Sequence, residues 1–204
     1  MSTIKTLLFD MGNVLVFFSH ERMCRQIGEL CGRSATEVRK LLMGSDLQWE
    51  FERGRLTEEE FRASLSERVQ HEFELDALRK AASDIFEAHD EIEPVLRGLK
   101  QNNYRLVLLS NTSISHFNWI QQRFSILEHF DDFTVSYEAD AIKPEPGIYH
   151  RALSMIQCEP HECFYTDDIS EYVEAGRTYG LQAEVFQNAE TLKTHLQERD
   201  VRFE

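Results

Sequence analysis

The apolar residues of this chain gather into short runs of strand length, with helix-patterned segments between them. Ile4 to Phe9, Tyr104 to Leu109, Phe133 to Tyr137, Cys163 to Thr166 and Ala183 to Phe186 each predict a strand, and Gly12-Asn13 marks a turn soon after the first. Glu93 to Asn102 predicts a helix leading into the second strand, and Pro146 to Ile156 one after the third. Glu171 to Tyr179 predicts another, stopped by Gly180. Strands alternating with helices imply crossover connections and a largely parallel α/β sheet flanked by helices.

The alternation fails once. Residues 19 to 90 show helical periodicity and no convincing strand. Arg33-Ser34-Ala35-Thr36-Glu37 restarts a helix, and Phe51-Glu52-Arg53-Gly54 ends one. Thr57-Glu58-Glu59-Glu60 has the spacing of a capping box, with Phe61, Leu65 and Val69 following at helical intervals as the buried face. We therefore expect a core built from residues 1–18 and 91–204, and a helical insertion over 19–90 that covers the strand edge where Asp10 emerges. Leu47, Trp49 and Phe51 read as core of the insertion, with a stacking face on Trp49 as the alternative.

With 42% hydrophobic residues and 4 prolines in 204 residues, the composition is globular. Asp and Glu total 36 against 22 Lys and Arg, a formal net charge of -14 that repels nucleic acid and anionic membranes. Any phosphate bound by such a chain needs local cations. Cys24, Cys31, Cys158 and Cys163 lack CxxC spacing and ligand-spaced histidines, which suits free thiols. MSTIKTLLFD lacks the apolar h-region of a secretory signal, and no apolar run reaches the roughly 18 residues of a membrane span. The expected setting is cytoplasmic. Oligomeric state is not encoded legibly; a monomer or weak dimer is expected.

One carboxylate interrupts the first apolar run, LLFDMGNVLVFF. Burying a lone Asp10 is costly unless it is paired, hydrogen-bonded or bound to metal. It sits at the C-terminal end of the first strand, the edge where open parallel sheets bind ligands. Ser110-Asn111-Thr112 ends the second strand and Asp167-Asp168 the fourth, while Lys143 precedes the helix that begins near Pro146. Alone, each has an ordinary explanation: a helix cap for the Ser-Asn-Thr run, a solvated charge for Lys143, a turn for the double Asp. Their joint placement at successive strand ends argues for one site. Three carboxylates there would raise one another's pKa values, and a divalent cation with the Lys143 ammonium would nearly neutralise them. Magnesium suits such a set, leaving positions for water and phosphate. An aspartate so placed can attack phosphorus to give an aspartyl-phosphate that water later cleaves.

FDMGNVL, LLSNTS, IKPEPGIY and FYTDDISEYVEAG, in this order over almost the whole chain, resemble the four motifs of the haloacid dehalogenase-like hydrolase superfamily. The insertion lies where that superfamily carries a helical type 1 cap, and FERGRLTEEEF and SNTSISH look like the branch containing α-D-glucose-1-phosphate phosphatase. The resemblance implies a five-stranded Rossmann-like core, Mg2+ as cofactor, and a small phosphorylated metabolite as substrate. It also implies Asp10 as nucleophile and metal ligand, and the Gly12 carbonyl as a further ligand. Ser110 and the Asn111 backbone N–H would bind phosphate, and Lys143 would hold phosphate and nucleophile together. Asp168 would bind metal directly, and Asp167 directly or through water.

Two positions depart from the pattern. Gly12 stands where many of these phosphatases carry a second Asp as general acid and base, a function often worth roughly 10²–10⁴ in rate. Tyr172 stands where Asp or Asn is common; it reads as a core aromatic, with a substituted partner of the metal ligands as the alternative. Glu171 beside it is rotated by about 100° on a helix and is no safe replacement. His20, Glu21 and His116 are candidates for relaying the missing proton, each against the plainer reading of a surface or hinge group. The expected function is a magnesium-dependent phosphomonoesterase, possible substrates including sugar phosphates. The alternatives are a weak or inactive phosphometabolite-binding protein, because of Gly12, and a metal-independent dehalogenase.

Overall fold

The computed structural model describes residues 3–204. Along the chain, β1 (Thr6–Phe9) and β2 (Val16–Phe18) precede the helices α1 (His20–Cys31), α2 (Ala35–Met43), α3 (Leu47–Glu52), α4 (Glu58–Val69) and α5 (Leu75–Ser83), and then β3 (Phe86–Ala88). There follow α6 (Glu93–Gln101), β4 (Arg105–Ser110), α7 (Ile114–Arg123), β5 (Asp132–Val135), α8 (Ser136–Ala139) and α9 (Pro146–Met155). β6 (Cys163–Asp167), α10 (Ser170–Thr178), β7 (Gln182–Val185) and α11 (Ala189–Gln197) complete it.

The main sheet runs β5-β4-β1-β6-β7 with every neighbouring pair parallel. Alternate side chains of one strand enter two different cores. Leu7 and Phe9 pack with Leu96, Leu106, Leu108 and Leu196, whereas Leu8 packs on the opposite face with Val107, Leu109, Tyr149 and Tyr165. Both faces are buried, which is why these strands read as apolar runs and not as alternations. Phe9 pairs with Leu108 and with Thr166, so the register delivers Asp10, Leu109 and Asp167 to one edge.

The helices between β2 and β3 bury a third core of Met23, Ile27, Leu42, Phe51, Phe61, Leu65 and Leu78. Local signals start them. Ser34 and Thr57 each form a complete capping box with Glu37 and Glu60, and Gly32 ends α1 at φ 67, a conformation that costs glycine little. Glu58 ties this layer to the parallel-sheet body, accepting from Ser115 Oγ at 2.6 Å and from Arg79 at 2.9 and 2.8 Å.

One expectation is corrected here. The stretch 19–90 is not wholly helical, because Phe86–Ala88 pairs antiparallel with Val16–Phe18 as a two-stranded ribbon at its base. Three-residue strands are too short to carry a periodic signal. α11, capped by Asn188 accepting from Thr191 N–H, is a further element that the pattern leaves unread. Among the described residues no helix is long and apolar enough to cross a membrane.

Candidate active site

The sheet edge gathers the four predicted segments around a buried ammonium. Lys143 Nζ donates to Asp10 Oδ1 at 2.8 Å, Asp167 Oδ2 at 2.5 Å and the Leu109 carbonyl at 3.0 Å. Three protons meet three acceptors, which makes the burial of Lys143 tolerable at 1% exposure. Asn111 fixes the loop that carries the lysine: its Oδ1 accepts from Lys143 N–H at 2.7 Å and its Nδ2 donates to the Lys143 carbonyl at 3.1 Å.

The two adjacent aspartates differ. Asp167 is fully buried, with Oδ2 also accepting from Tyr165 OH at 2.6 Å and Oδ1 from Ile169 N–H at 2.9 Å. Asp168 accepts from Asn13 Nδ2 at 2.9 Å and lines an open cleft of about 170 Å³ with Asp10, Gly12, Asn111 and Lys143. Ser110 is buried at the end of β4, outside the lining of that cleft among the described residues.

Asp10, Asp167 and Asp168 each offer an oxygen within 4.8 Å of the others. With Lys143 the four side chains carry a formal charge of -2, which one divalent cation balances. Burial pushes the Asp10 carboxyl up to about 7, Asp167 adds to the rise, and the Lys143 ammonium opposes it. The same two carboxylates hold the Lys143 pKa above its ordinary value against desolvation. A hard cation would favour the ionised carboxylates, so the all-oxygen donor set fits magnesium.

The departures from the motif pattern take definite forms. At Gly12 an added Cβ would stand 2.8 Å from Phe18 Cε1, so the phenyl ring occupies the space a side chain would need. Tyr172 is not a core aromatic: it is half-buried and lines the cleft, its ring 5.1 Å from Lys143 Nζ. Glu171 is exposed beside it. Leu47 and Phe51 are core of the helical layer, whereas Trp49 is 39% exposed at the cleft. His20 lines the cleft edge-on to Phe18. His116 is buried, with Nε2 3.1 Å from the Ala82 carbonyl oxygen, and Glu21 is exposed on the first turn of α1. The cleft also receives Asn13, Met43, Gln48 and Glu52, which sequence reasoning missed. Gln48 and Glu52 lie four apart on α3, the one signal that both would share a helix face.

Residues 4–180 match the haloacid dehalogenase-like hydrolase family. A D-ribitol-5-phosphate phosphatase of Bacteroides thetaiotaomicron is 26% identical over 187 residues, 88% of this chain and 90% of that one. Flavin mononucleotide hydrolase 1 of Arabidopsis thaliana is 24% identical over 147 residues, 72% of this chain and 59% of that one. The fold is shared with a HAD family enzyme from Bacteroides thetaiotaomicron solved with magnesium and inorganic phosphate, at a TM-score of 0.80 and 24% identity over 91% of this chain and 95% of the other.

Proposed function

The chain belongs to the haloacid dehalogenase-like hydrolases, and from that premise we propose that it is a magnesium-dependent phosphomonoesterase of small phosphorylated metabolites. The observation that carries this reading is the buried Asp10–Lys143–Asp167 contact with Asp168 beside it, beneath a cleft that Asp10, Lys143 and Asp168 line.

Asp10, Asp168 and the Gly12 carbonyl would hold Mg2+, with Asp167 behind them engaging it through water while it orients Lys143. When bound, the cation supplies charge neutralisation to the carboxylates and to the phosphoryl oxygens. Asp10 Oδ attacks phosphorus, the ester oxygen departs, and water then releases phosphate from the acylphosphate on Asp10. Lys143 keeps Asp10 ionised and aimed, and with the Asn111 backbone N–H it faces the charge of the transferring group. Residues 19–90 act as the cap that closes over the cleft, presenting Trp49, Gln48 and Glu52 to the organic portion. Four free cysteines suit a reducing, cytoplasmic setting.

The named substrates of the two curated relatives narrow the class. Ribitol 5-phosphate and flavin mononucleotide both present a ribityl 5-phosphate chain, so we infer a polyol or sugar phosphate. The polar rim of Asn13, His20, Gln48, Glu52 and Asn111 supports hydroxyl recognition. A phosphate-binding protein without turnover is the second reading, favoured by the Phe18 ring beside Gly12.

Phosphate release from polyol phosphates, sugar phosphates and p-nitrophenyl phosphate tests this, with wild type and Asp10→Asn compared in magnesium and in chelator. Magnesium-dependent turnover that vanishes in Asp10→Asn is expected. Binding of phosphate esters without turnover or phosphoenzyme would leave the second reading.

A further inference from the structure

The cleft contains one carboxyl that neither the metal cluster nor the Lys143 pairing uses. Glu52, the last residue of α3, lines it together with Asp10, Gly12 and Lys143, and also lines the adjoining hollow formed by Met11, Gly12, Phe18, His20 and Asn111. Its Oε1 accepts from Gln48 Nε2 at 2.7 Å. Burial raises its carboxyl above the ordinary range, with Gln48 and Arg53 opposing only in part, so a proton stays on it to higher pH than on a free glutamate. His20, the other titratable group contributed by the helical layer to the cleft, is shifted the opposite way: burial and then Arg39 lower its pKa, making it a poor reservoir of protons.

Glu52 is held in register with the sheet edge. Ser136 Oγ lies 2.6 Å from the Glu52 carbonyl oxygen. Arg53 donates to Glu145 at 2.5 Å and Arg55 to Asp140 at 2.8 Å. Gly54, at φ +76, lets the backbone press on the Tyr137 carbonyl, where a Cβ would collide. Residues 52–55 are thus fastened to the stretch 136–145 that delivers Lys143, so Glu52 keeps its place relative to the nucleophile.

We propose that Glu52 is the proton-transfer residue of this site, taking over from the side chain absent at Gly12; the assignment rests on the phosphatase reading above. Asp10 Oδ forms a bond to phosphorus as the ester P–O bond breaks, and the departing oxygen takes both the bonding electrons and the Glu52 proton. In the second half, water attacks phosphorus and gives a proton to the Glu52 carboxylate. The P–O bond to Asp10 breaks, its electrons return to the Asp10 carboxylate, and Glu52 regains its protonated form. Water and phosphate ester have become alcohol and phosphate.

Glu52→Gln tests this on two leaving groups. p-Nitrophenolate leaves without a proton, whereas an alkoxide does not. For the best alkyl phosphate of the panel kcat should fall by roughly 10²–10⁴. The first-turnover burst of p-nitrophenolate should change little, with phosphoenzyme then accumulating on Asp10. Glu52→Asp, which keeps a carboxyl but withdraws it by one methylene, should show the same selectivity at smaller size, and covers the case of a Glu52→Gln variant that fails to fold. Equal losses in the first-turnover rate of both substrates, or a rise in KM alone, would make Glu52 structural and overturn the assignment. Wild-type turnover unaffected by Glu52→Gln strikes only this assignment, while a wild type without burst or turnover removes the phosphatase reading and Glu52's role with it.

Discussion

Lys143 Nζ stands 2.8 Å from Asp10 Oδ1, joining two residues 133 positions apart in a place almost closed to solvent. Removing one member of a buried ion pair typically costs about 3–5 kcal/mol, because the remaining charge keeps its desolvation penalty. Lys143→Met should therefore lower stability by about that amount in urea titrations, through the unbalanced Asp10 and Asp167. Asp10→Asn in the same chain should restore part of it, a non-additivity expected of directly contacting groups.

Magnesium should stabilise the fold before any substrate is added. A ligand at a hundredfold excess over its Kd contributes about 2.7 kcal/mol. Thermal or urea unfolding with and without Mg2+ is expected to show such a rise, reversed by chelator. Asp168→Ala should abolish it while leaving the metal-free protein close to wild type, since among the described residues the Asp168 carboxylate accepts only from the Asn13 amide.

Gly12 is held small by a ring. Gly12→Ala places a Cβ 2.8 Å from Phe18 Cε1 and should cost about 1–3 kcal/mol as overpacking. Combining it with Phe18→Leu should recover part of the loss, measurable as a coupling term in a double-mutant cycle.

His116 supplies a pH dependence away from the metal cluster. Desolvation lowers its pKa from the ordinary 6.5 to about 4, against the hydrogen bond to Ala82, which raises it. The unfolded chain takes up a proton below about 6.5 and the folded chain only near 4, so this contribution is complete above 6.5 and declines as pH falls between those values. The full difference is about 3 kcal/mol. His116→Gln should flatten that part of the stability-against-pH curve, and an unchanged slope would remove His116 as its source.

Gly54 should be the least replaceable residue of the segment linking the helical layer to the sheet. Its φ of +76 and the Tyr137 carbonyl beside it oppose any side chain. Gly54→Val should destabilise by more than 1 kcal/mol and raise KM by loosening α3 over the cleft.

Much of this protein was legible along the chain because its signals are local. Leu7, Leu8 and Phe9 announce a strand because both sheet faces are buried, and Ser34 and Thr57 announce helices because a cap is completed within three residues. Asp10, Asn111, Lys143 and Asp168 were recognisable because motif residues at the ends of parallel strands must emerge at one edge. The tertiary structure alone decided which helical side chains face the cleft. Tyr172, Trp49 and Glu52 lie on helices whose rotation is set by docking, and docking depends on distant partners such as Ser136 for Glu52 and Tyr149 for Tyr172. The same holds for β2 and β3, since a three-residue strand is defined only by the neighbour it pairs with. Local sequence specifies the elements; the face each one turns toward the site is set by contacts that no local pattern encodes.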